Sequence, residues 1–163
     1  MSATEQLSTY LNDHLGGANA GVEMARQLQK DVGGERDADL LGRLAEEIEE
    51  DVETLRALLE MIGTTKNPVK QAAGWLAEKV QRVAVGEPVT GSAHLTRLLK
   101  VESLSLGVEG KLGLWLALME VTAAHPPLAD IDLPRLVERA RDQRRRLETV
   151  RLDAARRTFT TAG

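Results

Sequence analysis

The chain has 163 residues, no cysteine, two tryptophans, one tyrosine, one phenylalanine and a net charge of −4. That length suffices for one domain that buries about two thirds of its unfolded surface. The missing cysteine excludes disulfides, thiolate metal sites and thiol nucleophiles and suits a reducing cytosol, while the acidic balance argues against general nucleic-acid affinity.

The N-terminal stretch "MSATEQLSTYLNDHL" has no basic region followed by an unbroken apolar run, so the expectation is a soluble cytoplasmic protein with neither secretory signal nor membrane anchor. Helical spacing of apolar residues predicts a first helix over 5–32, stopped by Gly33 and Gly34, which tolerate the left-handed conformation of a C-terminal cap. A second helix, over 37–62, has Asp37 as its capping residue and ends near Gly63. Asn67 and Pro68 supply an N-cap and a first-turn proline for a shorter helix over 67–85. A loop, "VGEPVTGS", precedes a long helix over 93–124 that stops before Pro126 and Pro127. Its nearly uncharged run, 112–124, is broken by Glu120 and is too short to span a bilayer. Asp132 caps the last helix, over 132–158, which accommodates Pro134 in its first turn.

The two short links predict two antiparallel helical hairpins, and the long connection between them, with its own helix inside, predicts one crossover. Leu and Ala have to fill the core of such an all-α bundle, which suits close helix packing and not a sheet. Heptad spacing gives inward seams of Leu7, Leu11, His14, Ala18, Gly21, Ala25 and Leu28 on the first helix and Leu41, Leu44, Ile48, Asp51, Leu55, Leu58 and Ile62 on the second. The helix over 93–124 gives Leu98, Val101, Ser105, Val108, Leu112, Trp115 and Met119, and the last gives Leu136, Ala140, Gln143, Leu147, Val150 and Ala154. His14, Asp51, Ser105 and Gln143 each interrupt a seam near its middle, which predicts a polar layer at mid-height, because buried polar groups need partners.

On these stretches the sequence resembles the ferritin-like superfamily, bacterioferritin in particular. "LNDHLGGANAGVEMA" is similar to the family's first-helix pattern, in which a Leu-Asn pair precedes a metal-ligating glutamate. "EEIEEDVETLRALLEMIG" resembles the second-helix glutamate-x-x-histidine followed by an apolar stripe, and "RDQRRRLETVRL" resembles the last-helix counterpart. The resemblance implies a four-helix bundle of two antiparallel hairpins joined by a long crossover with a short fifth helix. Carried over by position, the family's ligands fall on Ala18, on Glu47 with Glu50 in place of histidine, on Glu102 or Glu109, and on Ala140 with Gln143. A binuclear iron or manganese centre needs about four carboxylates and two imidazoles. With two matches at most, the conventional di-metal centre is expected to be lost, with no cofactor and no catalysis. The alternative is iron storage or oxidation through rearranged ligands, with His14, Glu47, Glu50, Asp51 and Glu102 as the metal candidates. A His14, Asp51 and Glu102 cluster for one divalent ion competes there with a His14 and Asp51 pair that only satisfy each other.

Charge completes the reading. Residues 37–62 carry nine acids and two arginines, and 135–157 carry nine arginines and four acids, net −7 and +5, so the two helices attract and help to select the topology. Within "LAEEIEEDVETL", Glu46, Glu49 and Glu53 are expected to face solvent or arginines. The Arg144 to Arg146 run lacks the aromatic neighbours of a nucleic-acid site and is expected to pair within the chain. Gly107, Gly110 and Gly113, with Gly16, Gly17 and Gly21, predict either tight intramolecular packing or a homodimer face, because helical glycines cost about 1 kcal/mol each relative to alanine. The partner protein, if one exists, is not named by any motif.

Overall fold

The computed structural model describes residues 1–31, 35–63 and 92–160. The protein is all-α, with four long helices and no strand among the described residues: α1 (Ala3–Asp31), α2 (Glu35–Ile62), α3 (Ala93–Glu120) and α4 (Leu133–Thr160). The expected Gly33 and Gly34 cap and the expected helix over 67–85 lie outside the described residues. No described helix is long and apolar enough to cross a membrane.

The helix ends follow local chemistry. Gly63 closes α2 at φ 74°, the left-handed conformation that glycine adopts without strain. The Ser92 hydroxyl accepts from the Leu95 amide at the start of α3, and Asp132 Oδ1 accepts from the Arg135 amide at the start of α4. Asp37 lies inside α2, two residues after its start, and not at its cap. α3 ends at Glu120 and not near 124, because the Pro126 ring conflicts with the carbonyl four residues earlier in any continued helix. A turn and a short 3-10 helix (Pro126–Asp130) lead into α4.

Side-chain contacts fix the directions. Arg26 meets Glu49 at 3.0 Å and Arg56 meets Asn19 at 3.4 Å, so α1 and α2 are antiparallel. Glu109 meets Arg144 at 2.6 Å and Glu102 meets Arg151 at 3.6 Å, so α3 and α4 are antiparallel as well. Across the diagonal the numbers rise together: Asp37 pairs with Arg97 at 3.1 Å and Asp51 with Lys111 at 2.5 Å. α2 and α3 therefore run in the same direction, and the end of α2 and the start of α3 stand at opposite ends of the bundle.

Two apolar clusters fill the interior. One holds Leu7, Leu11, Leu55, Leu58, Trp115 and Leu118 with Leu128 of the 3-10 helix, and the other holds Met24, Leu28, Leu41, Leu44, Val101, Leu104 and Leu147. On α3 the expected Leu98, Val101, Val108, Leu112 and Trp115 are buried, but Leu104 and Leu118 take the inward places expected of Ser105 and Met119, Met119 is exposed, and Lys111 and Leu114 are buried besides. Trp115 is fully buried, and its replacement by alanine is expected to cost about 3–5 kcal/mol, read as a lower urea midpoint at unchanged slope.

Candidate functional site

Between the two apolar clusters lies a layer of charge. Asp51 on α2, Lys111 on α3 and Gln143 on α4 are 1 %, 7 % and 0 % exposed, burial that only multiple partners can offset. Lys111 Nζ donates to Asp51 Oδ2 and to Gln143 Oε1, each at 2.5 Å. Gln143 Nε2 donates onward to Glu47 Oε2 at 3.0 Å, so the amide relays between an ammonium and a carboxylate. Arg139 holds both Glu50, at 2.5 Å, and the second oxygen of Asp51, and Arg146 holds Glu47.

The layer thus balances three carboxylates, Glu47, Glu50 and Asp51, with three cations, Lys111, Arg139 and Arg146, around one amide. The helices explain the placement: Glu47, Glu50 and Asp51 span one turn of α2, while Arg139, Gln143 and Arg146 recur every three or four residues on the facing stripe of α4. Burial lowers the Lys111 pKa from its ordinary 10.5, since the charged form loses water. Asp51 opposes that shift, but its carboxylate is shared with Arg139, whose charge adds to it.

The sequence candidates divide. Glu47, Glu50 and Asp51 come together in this layer, each bonded to a cation of the chain itself. His14 and Glu102 do not join them. His14 is half-buried with its ring edge-on to Tyr10, centroids 4.6 Å apart, and burial lowers its pKa. Asp51 takes its hydrogen bonds from Lys111 and Arg139, not from His14 as the sequence suggested. Glu102 faces Arg151 at 3.6 Å on the outer side of α3 and α4. Among the described residues no three His, Cys, Asp or Glu side chains are grouped so as to hold a metal ion. The expected mid-height layer therefore contains Asp51 and Gln143 but not His14 or Ser105, whose hydroxyl donates to the Val101 carbonyl of its own helix. Lys111, the centre of the layer, was not anticipated.

A cleft of about 170 Å³ opens between α1 and α3 beside this layer. Met24, Ile48, Leu104 and Val108 form its walls, and Gly16, Gly17, Gly107 and Gly110 line it. A Cβ added at any of those four glycines would meet nothing within 4 Å. The glycines therefore do not bring two helix backbones into contact, as the tight-packing expectation held; they leave an open trough.

No protein-family model matches the chain, and neither a curated protein nor a solved structure is significantly similar to it.

Two outcomes test the layer. Asp51→Ala leaves Lys111 as a buried cation without a carboxylate, while Arg139 keeps Glu50, and is expected to cost about 3–5 kcal/mol by urea denaturation, whereas Lys111→Met, which leaves Asp51 paired with Arg139, costs less. Because folding lowers the Lys111 pKa, the unfolded chain binds more protons between that lowered value and 10.5. Stability through this group therefore rises with pH across that window, and the rise should be absent from the Lys111→Met titration.

Proposed function

We propose that this protein is a non-catalytic bundle with ferritin-like connectivity, in which an internal lysine occupies the mid-height position that a metal pair holds in metal-bearing members of that superfamily, and that its role is structural or interaction-based. The observation that carries this reading is the Lys111 ammonium between Asp51 and Gln143, with Arg139 and Arg146 on the remaining carboxylates. An entering divalent cation would have to displace a charge that the backbone tethers in place, and would find the carboxylate oxygens already bonded.

The parallel run of α2 and α3 supports the connectivity. The end of α2 and the start of α3 are thereby set apart by the length of the bundle, about 42 Å for helices of 28 residues, whereas consecutive helices of simple up-and-down bundles run antiparallel. The same layer supports the non-catalytic reading, because each of its carboxylates is held by a lysine or arginine of the chain itself.

The test is elemental analysis of protein purified without chelators from cells grown with added iron and manganese. Substoichiometric metal is expected, both in the native chain and after Lys111→Met. About two tightly held metals per native chain would overturn the proposal and return His14, Glu47, Glu50, Asp51 and Glu102 to consideration as ligands.

A further inference from the structure

α1, α2 and α4 each present an apolar stripe to the core and a charged face outward, whereas the C-terminal half of α3 is apolar on most of its circumference. Between Ser103 and Met119 its only charged residues are Glu109 and Lys111, and Lys111 points inward. Its exposed large apolar residues are Leu106, 55 % exposed, with Leu116 and Met119 at 40 % and 41 %. A helix of this kind is covered on both faces in a finished structure.

The two flanks of α3 differ in charge. Toward α4 lies a shallow groove lined by Leu106 with four arginines, Arg141, Arg144, Arg145 and Arg151, against three glutamates. Toward α1 lies the glycine trough, bordered by the 13, 16, 20, 23 stripe of α1, where Asp13 and Glu23 have no arginine or lysine partner among the described residues. Heights along α3 can be read from the contacts. Gly21 lies beside Leu104, which puts Asp13 near the level of residue 112 and Glu23 near 102. Arg144 pairs with Glu109 and Arg151 with Glu102, which puts Arg141 near 112 and Arg151 at 102. The acids on one flank and the arginines on the other stand at the same two heights.

From this we infer that a second copy of the chain covers α3, related by a two-fold axis running along that helix. Such an axis sets the arginine flank of each copy against the acidic flank of the other, with Arg141 opposite Asp13 and Arg151 opposite Glu23, each pair made twice. The alternative axis, across α3, sets the arginine flanks against each other. The same operation carries the exposed Leu106 of one copy to the glycine trough of the other, whose volume of about 170 Å³ takes a leucine side chain and whose walls are mostly apolar, with Met24, Ile48, Leu104 and Val108 among them. Arg141 and Arg151 already pair with Glu138 and Glu148 one turn away on α4, but exposed pairs of this kind are weak and leave the guanidinium free to share. A strip about 42 Å long and roughly 20 Å wide, two interaxial spacings, is on the scale of the ~800 Å² per partner that a stable pair of proteins buries.

Sedimentation equilibrium up to about 100 µM reads the result directly. A mass near twice 17.8 kDa is expected for the native chain. Two single variants attack the contact from opposite sides: Leu106→Glu removes the knob, and Gly110→Leu fills the trough from within while favouring the helix. Each should raise the dimer dissociation constant by at least about thirtyfold, the scale of a buried anchor, with far-UV circular dichroism unchanged. Asp13→Arg alone and Arg141→Asp alone should weaken the dimer, and combining them should restore it. A native chain of monomer mass at the highest concentration overturns the proposal. So does a dimer whose dissociation constant is unmoved by Leu106→Glu and Gly110→Leu, or a charge exchange that restores nothing.

Discussion

The arrangement of the helices depends on the ion pair that Lys111 and Asp51 make across the diagonal of the bundle. Two charges enclosed between apolar clusters each lose several kcal/mol of hydration, and they remain ionised only if their partners are correctly placed. That demand fixes the height of α3 relative to α2, since Lys111 reaches one carboxylate and no other in its layer. It fixes α4 too, because Gln143 has to present its carbonyl to the ammonium and its amide to Glu47. Apolar seams alone permit sliding by a turn with little loss of buried area. The layer does not, and its contribution is to register more than to net stability.

The layer also determines what the interior can do. Helical bundles commonly build their ion sites from facing side chains at mid-height, which is where this chain gathers three carboxylates. Here the compensating charge is covalently part of the fold. Beside the layer, between α1 and α3, lies the glycine trough, which is mostly apolar. On the reading proposed above, the polar groups of the layer serve the fold and the outward face of α3 serves recognition.

Much of this was legible in the sequence. Strong 3.6-residue periodicity on α1, α2 and α4 gave their extents to within about two residues, and Asp132 was readable as the cap of α4. Asp51 and Gln143 were visible as polar residues in otherwise apolar seams. The inward phase of α3 was legible only in part, because a stretch apolar on several sides has little preferred direction: Leu98, Val101, Val108, Leu112 and Trp115 are buried as expected, while Leu104 and Leu118 are buried in place of Ser105 and Met119. The lost signal was the alternation Leu104, Val108, Lys111, Trp115, Leu118, spaced four and three, which places a lysine in the core. Heptad arguments discard that placement unless a matching acid on another helix is considered at the same time. The separation of His14 from Asp51 was equally illegible, since it depends on which diagonal pair closes the layer.

The open glycines carry a last consequence, for heat resistance. Five of them, Gly16, Gly17, Gly107, Gly110 and Gly113, sit inside helices with nothing within 4 Å of the place a Cβ would take. At about 1 kcal/mol each relative to alanine, they lower the helical stability of a lone chain by some 4–5 kcal/mol, comparable to the whole net stability of a marginal domain. No internal crowding imposes that loss. A chain with alanine at those places is expected to melt later, and what the glycines leave in exchange is bare backbone along one edge of the molecule.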